Sequence, residues 1–129
     1  MLIADGLPTM TTRPLKTYSA QTGYVYQYYF VGQRAALVDD PEAPSTEYVF
    51  DLTSDRKTTF AVSVFLPPSA LEHWASMRGR ELTEPERYAG VKMRLLRALD
   101  EVSDMIAAGR RLRLDGEGLV ELLDSVGVD

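Results

Sequence analysis

The stretch "GYVYQYYFVG", residues 23–32, places four tyrosines and one phenylalanine within ten positions of a chain that has seven tyrosines, four phenylalanines and one tryptophan in all. Alternate positions of a strand point to opposite faces, so Tyr24, Tyr26 and Tyr28 share one face and Tyr29 lies on the other. Aromatic side chains are favoured in strands and bury large areas. The simpler interpretation is therefore that these rings build the core, and the functional one is that they present a surface to a ligand, a partner or stacked bases.

The first half of the chain carries the alternating pattern of half-buried strands. We predict strands over about 17–38, with a bend at Gly32, and over about 47–66. In "EYVFDLT" and "KTTFAVSVFL" the apolar positions alternate with polar ones. If these segments form an antiparallel hairpin, their apolar faces coincide only when the connection holds an odd number of residues, so we expect a loop of three or five.

The second half of the chain carries helical signals. Pro67 and Pro68 stop the last strand, and Ser69 with Glu72 predicts a capping box for a helix over about 69–78. A second capping box at Thr83 opens a longer helix over about 84–108, which ends at a glycine. Its apolar stripe recurs at spacings of three and four residues: Tyr88, Val91, Leu95, Leu99, Val102 and Ile106.

These elements predict one α+β domain over 15–129, preceded by a disordered extension over 1–14, with Met10 as a candidate start codon. Its fold class is an antiparallel β-meander of three to four strands, with a short and a long C-terminal helix packed on one face. In a small C-terminal element over 110–126, Leu112 and Leu114 alternate as in a short strand, and the later positions Leu119, Val120, Leu122 and Leu123 fit one or two turns of helix.

Composition excludes several function classes. The chain has 129 residues, a formal net charge of −5 and no cysteine. A chain of this length can bury a sufficient core without disulfides, and the lack of cysteine fits a reducing compartment. No apolar run is long enough for a membrane span, so we expect a cytoplasmic protein. The acidic balance argues against general nucleic-acid binding.

Candidate sites in the sequence are few. The ligand or partner surface would consist of Tyr24, Tyr26, Tyr28, Tyr29 and Trp74. Positive charge gathers on one flank of the long helix, at Arg87, Arg94 and Arg97, where a solvated face is the simpler interpretation. We find no catalytic residues, no cofactor motif and no metal site, because a lone histidine and acids without calcium-loop spacing fit none of these.

Three functions remain in order of preference, and no segment resembles a family of known activity. The first is a non-catalytic protein-interaction or regulatory module that acts as a homodimer, with an unknown protein partner as a further option. A helix over 84–108 would be about 37 Å long, which is longer than the predicted strands. The apolar stripe at its far end would then need cover, which favours a second copy of the chain. The second is a small-molecule-binding protein or small enzyme with a tyrosine-lined pocket. The third is nucleic-acid binding through the basic flank.

Overall fold

The computed structural model describes residues 15–38 and 43–129. In chain order the elements are β1 (Lys16–Ser19), β2 (Val25–Ala36), β3 (Ser45–Thr53), β4 (Phe60–Leu66), α1 (Pro68–Arg78), α2 (Glu84–Glu101), α3 (Met105–Ala108), β5 (Arg111–Arg113) and α4 (Gly116–Ser125). The predicted extension over 1–14 lies outside the described residues.

The five strands form one sheet in the order β1-β2-β3-β4-β5. The first three pairings are antiparallel, and β5 returns parallel to β4. The predicted α+β class is confirmed, with five strands rather than three or four. The fifth strand belongs to the C-terminal segment, which holds a strand followed by a helix.

Strand β2 is a single long strand. The bend expected at Gly32 is a shift in register between Phe30 and Gly32, so the ladder to β3 continues on both sides of it. A bulge of this kind inserts an extra residue into one strand and increases the local twist without ending the pairing. The strand therefore runs on to Ala36.

The β3–β4 hairpin has the predicted parity. Leu52 pairs with Phe60, so the connection between paired residues spans positions 53–59, an odd number, and the apolar faces coincide. The loop is longer than the expected three or five residues. Asp55 organises it, because its Oδ1 accepts the backbone N–H groups of Lys57 and Thr58, both at 2.8 Å.

All three longer helices pack on the same face of the sheet. One continuous core joins Trp74 of α1, Leu95 of α2 and Leu119 of α4 to the inward-facing strand residues such as Phe50 and Val62. Gly90 lets α4 approach α2 closely, since a Cβ there would lie 2.8 Å from Leu119 Cδ1. No described helix covers the opposite face of the sheet.

The prediction of one helix over 84–108 is wrong. Helix α2 ends at Glu101, Val102 has an extended backbone with φ −103° and ψ 112°, and a new turn of helix begins at Met105. Asp104 caps this turn by accepting the Ala107 N–H at 3.1 Å. In a continuous helix the Ala107 N–H would donate to the backbone carbonyl four residues earlier. Here it donates to the Asp104 carboxylate, which makes Asp104 the N-cap of a new helix. At 18 residues, α2 is only about 27 Å long, so the helix-length argument for a second copy is lost.

The two predicted capping boxes have different outcomes. At α2 the box is present, with Thr83 N–H donating to Glu86 at 2.9 Å and Glu86 N–H donating to Thr83 at 3.3 Å. At α1 it is absent, because the helix begins at Pro68 and its N-cap, Pro67, has no side-chain hydrogen bond. A proline has a backbone angle preset for the first helical position. Ser69 therefore lies inside the first turn and cannot act as the cap.

Candidate functional site

The structure divides the five predicted surface residues: Tyr24 and Tyr26 lie together, Tyr28 and Tyr29 line a separate cavity, and Trp74 lies in the core. The rings of Tyr24 and Tyr26 lie with their centroids 5.9 Å apart and their planes at 52°. Tyr26 is 2% exposed, whereas Tyr24, just before β2 begins, is 48% exposed. Tyr24 therefore extends an aromatic surface from the core to the solvent.

A cleft of about 360 Å³ opens beside this pair. It is bounded by the start of β2, the two ends of the β3–β4 loop and the break between α2 and α3. Its lining residues are Tyr24, Tyr26, Ser54, Phe60, Ser103, Asp104, Met105 and Ile106. We call it the tyrosine cleft. The break in the helix, which the sequence did not predict, forms one of its walls.

Charge in the tyrosine cleft comes from one carboxylate. Asp104 is exposed and is the single charged residue among the described residues that line the cleft. Burial raises the pKa of Tyr26, and the neighbouring Tyr24 and Asp104 raise it further. The Tyr26 phenol therefore stays neutral, and the charge at the cleft is negative.

Tyr28 belongs to the core rather than to this cleft. It is buried, and its ring lies edge-on to Phe50 at 6.5 Å. Burial raises its pKa. A second cavity of about 270 Å³ lies next to it and is lined by Lys16, Tyr28, Tyr29, Phe30 and Tyr88.

Trp74 lies on α1, in the helical layer. Its ring is fully buried, and the Arg80 guanidinium lies over it at 4.9 Å from the ring centroid. Within the described residues its Nε1 has no hydrogen-bond partner. Trp74 therefore packs the core beneath α1 and does not join the tyrosines.

Tyr29 lies on the sheet face that no described helix covers, opposite to the face of Tyr28, as the alternation along the strand predicted. Its hydroxyl donates to Asp51 Oδ2 at 2.9 Å. On the same face, Glu47 is buried and accepts hydrogen bonds from Arg34 at 2.9 Å and from Ser63 at 2.6 Å. The Arg34 guanidinium is the main cause that lowers the pKa of Glu47, against an opposing contribution from burial.

The three arginines of the predicted basic flank are each engaged. Arg87 pairs with Glu84 at 3.3 Å, and Arg97 pairs with Glu121 at 3.0 Å. Arg94 donates to the Arg113 carbonyl at 2.9 Å, and burial lowers its pKa. Arg94 and Arg97 line one surface cleft together with Arg113, but Glu101 and Asp115 line it as well, and Arg87 is not among its lining residues. The three predicted arginines therefore do not form the single unopposed basic surface that binds phosphates.

The outer edge of β2 is the second feature of interest. Strand β1 pairs only with Val25–Tyr28, while β2 continues beside β3 to Ala36. Along residues 30–36 the outer edge has no strand partner within 15–38 and 43–129. Val31 on this segment is 37% exposed. We call this segment the open β2 edge.

The opposite edge of the sheet is differently built. Strand β5 has three residues, two of which are arginines. Short strands and positive charges are the usual means by which proteins prevent edge-to-edge pairing. The single charged residue of the open β2 edge, Arg34, is instead bound to Glu47. The β5 edge is therefore short and charged, whereas the open β2 edge is longer, carries one charged residue and contains the bulge between Phe30 and Gly32.

Sequence reasoning missed Asp104, Phe60 and Met105 as neighbours of the tyrosines. A continuous helix over 84–108 would carry Asp104 on the face opposite its apolar stripe, away from the sheet. The available signal was the pair Ser103 and Asp104, since both residue types are favoured at helix N-caps. The contact with the tyrosines joins residues about 80 positions apart, which no local pattern reveals.

In the part of the chain that the structure describes, no group of three or more His, Cys, Asp or Glu side chains could hold a metal ion. Among the same residues, no helix is both long enough and apolar enough to cross a membrane. Comparison with protein-family models, with curated proteins and with solved structures gives no match.

Proposed function

We propose that this protein is a non-catalytic protein-interaction module that acts as a homodimer, formed by antiparallel pairing of the open β2 edges of two copies. The observation that carries the proposal is the strand edge over 30–36, which has no strand partner within the described residues. The absence of cysteine from the sequence supports a cytoplasmic setting for this module.

An unpaired strand edge presents a row of N–H and C=O groups that another strand can satisfy. Each backbone hydrogen bond contributes a net of about 0.5–1.5 kcal/mol. In an antiparallel pairing of two identical segments, a two-fold axis near Gly32 and Gln33 places each Arg34 near Val31 of the other copy. The two Arg34 side chains then do not face each other, and the exposed Val31 side chain becomes partly buried against the other copy.

Charge at the same position should prevent this pairing. Replacing Val31 with lysine places a new positive charge near the partner's Arg34, and we expect the Val31→Lys variant to be monomeric. The matched control is Val25→Lys, because Val25 is 51% exposed on the same strand but lies where β1 already covers the edge. We expect this control to remain dimeric. Circular dichroism checks that both variants fold.

Sedimentation equilibrium over low to high micromolar concentrations measures the outcome. A wild-type chain that stays monomeric throughout contradicts the proposal, and so does a Val31→Lys variant that dimerises as strongly as Val25→Lys. The chain shortened to begin at Met10 should still dimerise. Loss of the dimer in that variant would place the contact in residues 1–9 instead.

A second candidate function is binding of a small molecule. The tyrosine cleft favours it, because an exposed aromatic ring, a buried one and a carboxylate converge on one concave surface. This function does not depend on the dimer. A titration of the monomeric Val31→Lys variant separates the two, since the cleft lies away from residue 31.

A further inference from the structure

We infer that the tyrosine cleft binds an alkylammonium group, either that of a small free molecule or that of a methylated lysine side chain. This inference rests on the second candidate function. It names the chemical class of the ligand from the aromatic walls, the single carboxylate and the size of the cleft.

The aromatic walls favour a cation. Tyr24, Tyr26 and Phe60 contribute three rings to one cleft, and the two tyrosine planes are inclined to each other. The face of an aromatic ring carries negative charge density and attracts ammonium groups that approach within about 6 Å. Several rings that surround one cation are the usual recognition site for methylated ammonium groups.

The carboxylate supplies the matching charge. Asp104 Oδ1 accepts the Ala107 N–H, which fixes the side chain as the cap of α3. A carboxylate has about four acceptor positions, so capping one backbone donor leaves the group able to attract a cation. No arginine or lysine is among the described residues that line the cleft. The Asp104 carboxylate would repel an anionic ligand, and a neutral ligand would gain nothing from its charge.

The dimensions limit the ligand to a small group. A volume of about 360 Å³ is near the lower end of the range of about 300–1,000 Å³ for ligand pockets. The thioether of buried Met105 and the side chain of Ile106 add apolar, adaptable surface. Methyl groups on nitrogen would contact this surface while the charge faces Asp104.

Amide NMR titration with choline chloride tests the inference, with sodium chloride at equal ionic strength as the background. The neutral control is dimethylbutanol, in which carbon replaces the choline nitrogen. We expect choline to shift the amides of residues that line the cleft, and dimethylbutanol to shift them far less. Absence of a choline shift overturns the inference, and so does an equal shift by both compounds.

Two variants separate the contributions. Asp104→Asn removes the charge and keeps a residue type that caps helices well, and Tyr24→Leu removes the exposed ring but keeps apolar surface. Each should weaken choline binding by about two- to thirty-fold, the range expected for one cation–π or charge contact. The matched control is Asp115→Asn, which changes the cap of α4, where Asp115 accepts the Gly118 N–H at 2.7 Å. Weakening by Asp115→Asn equal to that by Asp104→Asn contradicts a role for the cleft.

A third ligand, N-acetylated and C-amidated trimethyllysine, distinguishes the two possible sources of the ammonium group. Tighter binding of this compound than of choline indicates a protein side chain as the natural source, and tighter binding of choline indicates a free molecule. Both results support the ammonium class. The titrations are repeated on Val31→Lys, so a failure of the dimer proposal leaves this test intact.

Discussion

Replacing buried Glu47, on the sheet face that no described helix covers, tests how much its interactions with Arg34 and Ser63 stabilise the fold. Glu47 accepts from Arg34 and from Ser63, and its side chain is 9% exposed while that of Arg34 is 71% exposed. Because the Arg34 guanidinium is exposed, solvent screens its attraction to Glu47, and we take the value of about 0–1 kcal/mol that applies to surface ion pairs. Making the Ser63 hydrogen bond neutral rather than charge-assisted costs about 1 kcal/mol more. We therefore expect Glu47→Gln to lower the free energy of unfolding at neutral pH by about 1–2 kcal/mol.

The pH dependence of this loss follows from the lowered pKa of Glu47, whose ordinary value is 4.5. The folded state binds the proton less tightly than the unfolded state, so the stabilisation is complete above the ordinary value. It is lost as the pH falls through the lower folded-state pKa. Wild type and Glu47→Gln should therefore converge in stability in acid. A group with a raised pKa would show the opposite dependence.

Urea denaturation at neutral pH and at a series of acidic pH values measures both effects. The matched control is Glu72→Gln, an exposed glutamate on α1, which should change stability by less than about 0.5 kcal/mol. A Glu47→Gln variant as stable as wild type at neutral pH refutes the reasoning. A difference that persists unchanged into acid refutes it as well.

Three further substitutions test the packing of the helical layer, each measured by urea denaturation. Asp100→Ala removes the acceptor of the Tyr18 hydroxyl at 2.7 Å and should cost about 1–3 kcal/mol; no loss contradicts the anchoring of β1 to α2. Gly90→Leu should cost about 1–3 kcal/mol by overpacking, because Leu119 leaves no room for a side chain, and unchanged stability would show that the helices can separate there. Thr83→Ala removes the N-cap of α2 and should cost about 1 kcal/mol, an expectation that a neutral result would contradict.

Elements with a strong period could be predicted from the sequence. The alternation in β3 and β4 gave the correct parity of the hairpin because a slip of one residue would turn Phe50 and Val62 out of the core. The stripe of α2 was read correctly at Val91, Leu95 and Leu99, all of which are buried. In these elements local pattern and tertiary burial point to the same structure.

The end of the long helix could not be predicted from its stripe. Val102 and Ile106 fit the same spacing, yet Ile106 is exposed and Met105 is buried in its place. Two short helical segments and one continuous helix share nearly the same apolar period. The choice depends on the Asp104 cap and on the burial of Met105, and the latter is a tertiary contact.

The sequence indicated which residues could form a site, but not which of them lie next to each other in the fold. Parity separated Tyr29 from the other tyrosines, but it could not show that Tyr24 lies at the cleft and Tyr28 in the core. That division depends on which element covers each end of β2. The open edge was also hidden from the sequence, because nothing in the tyrosine stretch indicates that β1 stops opposite Tyr28.

Amide hydrogen exchange along β2 tests the open edge most directly. In the proposed dimer, the outward-facing amides of residues 30–36 become protected as the protein concentration rises, and the Val31→Lys variant loses that protection. Exchange of those amides at the same rapid rate at every concentration would contradict pairing between copies. Equal protection in wild type and in Val31→Lys at low concentration would contradict it too, because the edge would then be covered within a single chain.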